Sequence, residues 1–513
     1  MMVRQRPGFQ HIEDLATAYW LSECLFAAVE MNIFGLIDTR SKSVGELAKK
    51  LGAGREELSR FLSSLCQLGL IFNSEDGLYF NSREASRYLV PGKKDYQGAS
   101  VLWRKELGPR WAGLKDRILG EKKKKKKSPP DNGPQKRKIE RYIRAMDCVA
   151  RVKAEDILDI LGPLPAEGEI LDTGAGSGAI SAVLLDRAPK LRATLMDIRQ
   201  VSGLTRRMME QRGLKNRINV RPANILDPWP FDAGQKNFRM VILSNIIHVY
   251  SQKELPHILG NAARCLAKDG LLLIHDFFPE HYPTKAGLFD LNMLLNTYNG
   301  RVFQSEDVRK RLLGMGLSVT GLIPLPSDTA LLAASKDPAV LSRLRPDPVS
   351  ILAAKIKGLG FKNAVPVRSK DVHIPGWTKL RCRYGCENFG AALCPPKAPG
   401  YEETKNLIRR CSKALLLEGE PPTRDFQLMV LKAEKEAFVS GFYKVFSLWA
   451  GPCAICSPCK KNKKCKKPNY RRPSMEGAGI DVFETVRRAG LDPLRTLAER
   501  DEFVRYFALI ILE

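Results

Sequence analysis

Apolar residues recur at helical spacing through the first ninety positions. A helical stretch from Ile12 to Val29 is followed by SVGELAKKLG, REELSRFLSSLCQLGLI and GLYFNS, in which Leu47, Leu51, Leu58, Phe61, Leu62, Leu65 and Leu68 build apolar faces. Ser43 with Glu46 three residues on reads as a helix start. Helices followed by a short extended pair predict a winged helix over residues 1–95, and residues 96–165 read as a helical linker interrupted by a lysine-rich loop. The period then changes. Short apolar runs at 169–173, 193–197, 218–222, 239–244 and 271–276, with helical patterns between most of them, predict a mostly parallel doubly wound sheet, a Rossmann-like domain over 166–336. Residues 337–354 are rich in proline and charge and read as a linker, and residues 355–513, where cysteines crowd, read as an α+β domain. The fold class expected is α/β with these two additions. No apolar run approaches the ~18 residues of a spanning helix, and the first residues hold no apolar export segment, so a soluble cytoplasmic protein without membrane contact is expected.

The formal charge of +27 raises the question of nucleic acid. Its distribution answers against it. Lys122–Lys127 form one run ahead of SPPDNGP, a solvated loop by composition, and Lys460–Lys467 with Arg471 and Arg472 interleave with cysteines, where they offset an anionic cluster. The helix that would enter a DNA groove carries Glu56 and Glu57 beside Arg55 and Arg60, a poor phosphate-facing surface. Nucleic acid is therefore not an expected partner, and a redox-responsive DNA regulator ranks third among the readings.

The run ILDTGAGSGAI sets Asp172, Gly174, Gly176 and Gly178 directly after a buried strand and at the start of a helix. Glycines at alternate positions let bare backbone approach a ligand. Twenty-five residues after Asp172, the next strand ends in Asp197, suited to ribose hydroxyls. A dinucleotide site uses GxGxxG to seat a pyrophosphate, whereas DxGxGxG carries an acid that would repel one. Asp172 suits a cation instead: a sulfonium with an α-amino group, as in S-adenosylmethionine.

The winged-helix pattern, DxGxGxG, the second acid and SNIIHVYSQKELPHILGNAARCLAKDGLLLIHDF together resemble the class I S-adenosylmethionine-dependent O-methyltransferases of the caffeate and hydroxyindole type, over about residues 10–335. The resemblance implies an N-terminal domain that forms a homodimer and closes over a small-molecule acceptor. It implies that Asp172, Gly174, Gly176, Gly178, Asp197, Asn224 and Ser244 hold S-adenosylmethionine, with Asn224 standing where the family has an acid. It also implies that His248 is the general base that frees a phenol or enol oxygen to attack the methyl group, steadied by Asp276. The surroundings depart from the family: Val249 and Tyr250 replace the Asp and Trp that usually follow the histidine, and Arg301 stands where a second acid is expected. A packed core histidine is the alternative for His248, and His275, alternating with apolar neighbours, reads as structural.

Near the end, Cys453, Cys456, Cys459 and Cys465 are spaced C-x2-C-x2-C-x5-C, with Pro468 just after. Three thiolates at two-residue gaps can each reach a different iron of one cubane, while zinc usually takes two separated CxxC pairs. A [4Fe–4S] cluster is expected, with zinc as the alternative. Cys382, Cys386 and Cys394 form a second group closing in CPP, with Cys411 beyond; they hold a second cluster or join the first group in one site. Radical enzymes that cleave S-adenosylmethionine share the three-residue gap but continue with a gap of two, and here it is seven. Both groups resemble a family of small predicted metal-binding proteins of unassigned function, over about residues 355–513. Cys24, Cys66, Cys148 and Cys265 lie in helical apolar contexts and read as core thiols.

The expected function is O-methylation of a small hydroxylated acceptor, with an accessory iron–sulfur domain and a redox partner for it. The rival is an iron–sulfur electron-transfer or binding protein whose methyltransferase-like half has lost its chemistry.

Overall fold

The computed structural model describes residues 9–38, 40–120, 133–231, 238–391, 393–420, 423–449, 451–456, 465–491 and 505–513. Lys122–Lys127 and Cys459 lie outside them. The chain divides into two compact units, residues 12–346 and a second within residues 347–513. No helix among the described residues is long and apolar enough to cross a membrane.

In the first unit, helices Tyr19–Glu30, Ile33–Asp38, Val44–Leu51 and Arg55–Gln67 enclose a small core of Ile33, Phe34, Leu47, Leu62, Leu65 and Ile71. The turn into Val44–Leu51 is fixed by a reciprocal cap: the Glu46 N–H donates to Ser43 Oγ at 3.3 Å, and the Ser43 N–H to the Glu46 carboxylate at 2.8 Å. Strands Lys42–Ser43, Leu78–Asn81 and Ile71–Asn73 pair in that order as a small antiparallel sheet. Helices Gly98–Trp111 and Gly133–Leu161 follow, and the second sends Ile157 and Ile160 into the core of the main sheet.

That sheet has the order Ile323–Pro324, Ala330–Ser335, Leu266–Asp276, Phe238–Ser244, Glu167–Thr173, Lys190–Asp197 and Ile218–Pro222, with Ser318–Val319 also paired to Ala330–Ser335. The last five in this order are parallel, and all five coincide with runs expected as strands. Alternate side chains divide between two cores: Ile170, Leu195, Ile242 and Leu273 on one face, Leu171, Met196, Val241 and Leu272 on the other. Burial on both faces is why these strands read as continuous apolar runs. Chain order runs outward from Glu167–Thr173 to one side, then returns to start the other side at Phe238–Ser244. Loops leaving these two adjacent strands therefore open a crevice at the carboxyl edge, where α/β sheets bind ligands. Ala330–Ser335 adds an antiparallel strand, with Leu332 opposite Ile274.

The second unit is an antiparallel sheet, Asn363–Arg368, Lys413–Gly419, Tyr506–Ile511 and Phe446–Leu448. Leu415, Leu417, Ala508 and Ile510 pack against helices Pro348–Gly358 and Thr423–Val439; Leu416, Phe507 and Leu509 face Met475, Ile480 and Val486. Cys382 sits on the short helix Thr378–Gly385, and the other cysteines of both groups that are described lie in loops or at a helix end.

Candidate active site and cysteine region

The glycine loop leaves strand Glu167–Thr173 with Gly174, Gly176 and Gly178 at φ of 68°, 56° and 74°, a region closed to most side chains. A Cβ on Gly174 would lie 2.7 Å from Ile246, and one on Gly178 2.7 Å from Met209. The loop is tied to the neighbouring strand end: the Gly176 N–H donates to Asp197 Oδ2 at 2.8 Å, and the Ile198 N–H to Asp197 Oδ1 at 2.7 Å. Burial raises the Asp197 carboxyl, and these two donors act against it. Asp172 is buried, accepts from the Ser181 hydroxyl at 2.7 Å, and is pushed up to about 7 by burial, with the Asp197 charge adding to the effect. Asn224 is exposed, its side-chain oxygen accepting from the Leu226 N–H at 3.2 Å.

From the adjacent strand, Ser244 turns its hydroxyl to His275 Nδ1 at 2.8 Å, while His275 Nε2 meets the Thr329 hydroxyl at 2.8 Å. This ring is fully buried and burial holds it well below its ordinary value, so it is a neutral tie across three strand ends. His248, in the short turn Ile247–Val249, points Nδ1 at Asp276 Oδ1, 2.6 Å away, and both are buried. Asp276 is held by the Phe277 N–H at 2.8 Å. Arg301 takes part through its backbone, its N–H donating to the His248 carbonyl at 2.8 Å. Beside the imidazole, Phe277 and Phe289 stack with centroids 3.8 Å apart, and Phe289 meets the His248 ring edge-on at 4.9 Å.

Three participants escape sequence reasoning. Asn245, at φ 50°, carries a buried Oδ1 with no hydrogen-bond partner among the described residues. That orphaned acceptor at the loop, with the carboxylates of Asp172 and Asp197 and the cradle that side chains on Gly174 and Gly178 would fill, fits a cationic ligand bearing hydroxyls and an ammonium. The Tyr250 hydroxyl is pushed up to about 12 by burial, with the charges of Asp197 and Glu254 adding. Lys153 lies buried 5.0 Å over the Phe277 ring and pairs with Asp328 at 2.8 Å. Only an asparagine's tolerance of left-handed backbone was a signal in the sequence, at Asn245.

The cysteines are less assembled. Among the described residues no three His, Cys, Asp or Glu side chains form a ligand set. Cys382, Cys394, Cys453, Cys456 and Cys465 are half-buried and Cys386 is exposed. The Cys382 thiol is raised by burial and by the nearby charges of Cys386 and Glu476. Of the thiols expected in cores, Cys148 and Cys265 are buried, and Cys24 and Cys66 half-buried.

Residues 13–91 match the O-methyltransferase dimerisation domain and residues 132–318 the O-methyltransferase domain, while residues 366–512 match the family described as "Predicted metal-binding protein (DUF2284)". The chain is 27% identical over 314 residues to the 3-hydroxy-5-methyl-1-naphthoate 3-O-methyltransferase of Streptomyces sahachiroi, covering 60% of this chain and 89% of that one. It is 22% identical over 342 residues to the phenazine-1-carboxylate N-methyltransferase of Pseudomonas aeruginosa, covering 64% and 97%. Human N-acetylserotonin methyltransferase in complex with S-adenosylmethionine shares the fold, with a TM-score of 0.56 at 19% identity over 66% of this chain and 99% of that one. Through residues 13–318 the chain thus belongs to the S-adenosylmethionine-dependent O-methyltransferases, and it continues into a domain of the predicted metal-binding family.

Proposed function

We propose that the first unit methylates a hydroxyl of a small aromatic acceptor, with His248 as general base. The observation that carries this is the 2.6 Å His248–Asp276 bond at the sheet edge where the glycine loop also opens. S-adenosylmethionine, when bound, supplies a methyl group on a sulfonium. Asp172, Gly174, Gly176, Gly178, Asp197, Asn224, Ser244 and Asn245 are the residues that would hold it. Donation of the Nδ1 proton to Asp276 leaves the lone pair on His248 Nε2, the nitrogen that takes the acceptor's hydroxyl proton. Asp276, fixed by the Phe277 N–H, then stabilises the imidazolium. The Phe277–Phe289 stack supplies a flat apolar wall that excludes water beside the base. A screen of hydroxylated aromatic acceptors with wild-type and His248→Ala protein tests this: transfer that depends on His248 is expected, and equal turnover by both refutes the assignment.

The N-terminal helices leave Ile12, Leu15, Tyr19 and Trp20 exposed, which supports a winged-helix domain that pairs with a second copy and closes over the acceptor. The second unit binds a metal, and the tight spacing of Cys453, Cys456, Cys459 and Cys465 favours a [4Fe–4S] cluster over zinc. Protein purified without oxygen is expected to be brown, with about four irons and matching sulfide per cluster; colourless protein holding zinc alone overturns the cluster.

A further inference from the structure

Lys153 is a buried cation to which the methyl transfer described above gives no task. It sits on helix Gly133–Leu161, and its Nζ lies 5.0 Å over the ring of Phe277, whose centroid is in turn 6.2 Å from that of the His248 imidazole. Cation and base therefore both fall within the length of one small aromatic molecule. Lys153 keeps 7% of its surface exposed, as much as His248 itself, so the ammonium is as accessible as the base. An ammonium carries three N–H donors. Among the described residues Lys153 makes one hydrogen bond, to Asp328 Oδ1 at 2.8 Å, and a buried cation is costly unless its donors are paired.

Asp328 is itself shared. Burial raises its carboxyl, but the charges of Lys153 and Lys285 outweigh this and hold it below its ordinary range. Burial lowers the Lys153 ammonium, Asp328 acts against it, and the charge of Arg104 adds to the lowering. Arg104, on helix Gly98–Trp111, is exposed; among the described residues its guanidinium makes one hydrogen bond, from Nη1 to the Ser100 carbonyl at 2.8 Å. Three cations thus act around one carboxylate. The other anion that Lys153 senses, Asp276, is already engaged by His248 Nδ1 at 2.6 Å and the Phe277 N–H at 2.8 Å. The surplus positive charge lies beside the Phe277–Phe289 stack, so the place suited to a flat ring also attracts an anion on that ring.

We propose that Lys153, supported by Arg104, binds a carboxylate carried by the acceptor, which makes the substrate class hydroxylated aromatic acids. This deepens the reading of the first unit as an O-methyltransferase with His248 as base, and rests on it. The carboxylate takes donors of Lys153 that Asp328 leaves free and fixes the ring's orientation while His248 works on the hydroxyl. The test uses the full chain with hydroxybenzoates and hydroxynaphthoates, each beside its primary carboxamide, which keeps the shape and removes the charge. Wild type is expected to favour the acid about ten- to a hundredfold in kcat/KM. Lys153→Met, which keeps a long side chain beside Phe277, is expected to lose that preference, and Arg104→Gln to reduce it. A lysine that only ties helix to loop would lower stability and affect acid and amide alike, leaving their ratio unchanged. Calorimetric binding of the same pairs to the His248→Ala chain loaded with S-adenosylhomocysteine is expected to show the same preference, and it needs neither the base nor a Lys153 variant. Acid and amide bound and methylated equally by wild type, or a folded Lys153→Met chain that keeps the preference, overturns the inference while the base assignment stands. Acids bound in preference to amides but methylated equally well without His248 overturn the base and leave the carboxylate contact standing. A chain that neither binds nor methylates any of them removes both.

Discussion

Asp172→Asn separates the charge of this carboxyl from its shape, since an amide still accepts from Ser181. Unfolded, the group titrates near 3.8; folded, it is pushed up to about 7. Between those values the folded chain holds a proton that the unfolded chain has lost, so stability from this group is intact below about pH 4 and falls as pH rises. Above about pH 7 the burden levels off at three units, or about 4 kcal/mol at ~1.4 kcal/mol per unit. Denaturant melts without cofactor should therefore show the Asn variant gaining stability over wild type from pH 4 to 8, by up to that amount. A bound cation favours the ionised form, so wild type near pH 7 should release up to about half a proton on binding S-adenosylmethionine, and the Asn variant correspondingly less. Calorimetry in buffers of different ionisation enthalpy counts those protons. Cofactor affinity of the variant at pH 8 should fall about ten- to a hundredfold through loss of a charge-assisted contact. Equal proton release by both proteins, or undiminished affinity in the variant, would show that the cofactor's charge does not reach Asp172.

Asp197→Ala should weaken S-adenosylmethionine by about 1.5–3 kcal/mol in the same calorimeter, because ribose contacts go and the Gly176 N–H loses its acceptor. His248→Ala should cut turnover by about two to four orders of magnitude with cofactor affinity nearly unchanged. Asp276→Asn should also slow turnover, by releasing the tautomer and orientation of His248; full activity in that variant would make the 2.6 Å bond structural only. Gly178→Ala, at φ 74° and against Met209, should cost about 1–3 kcal/mol of folding stability in a denaturant melt, and an unchanged midpoint would mean that the loop relaxes freely.

The five parallel strands were legible because burial on both faces writes them as unbroken apolar runs. The strand Ala330–Ser335 was not, since ALLAAS borders a proline-rich stretch and its pairing partner lies more than fifty residues earlier. The placement of Asp172, Asp197 and the glycines at the carboxyl edge was readable because the order strand, loop, helix and the fixed spacing set it locally. The partner of His248 was readable only through family resemblance, as residues 28 apart meet across two strand ends. Lys153 and Tyr250 were not readable, because each gains its position from packing between distant helices and loops. In the second unit, spacing pointed to thiols that could share a metal but gave no sign of the turn at Pro473–Met475, which is pinned to Trp449 from a distant part of the chain.

The switch in strand order also divides labour. On the proposed reading, most contacts to the methyl donor come from one wing of the sheet, Glu167–Pro222, with Ser244 and Asn245 reaching in from the other, Phe238–Ser335, which carries the base and its aromatic wall; the pairing of Glu167–Thr173 with Phe238–Ser244 joins the two. Changes that reshape the acceptor wing, such as a different aromatic at Phe277 or Phe289, can redirect the chemistry toward a new substrate without disturbing the donor wing. A scaffold split in this way can diversify its products while its fuel stays the same.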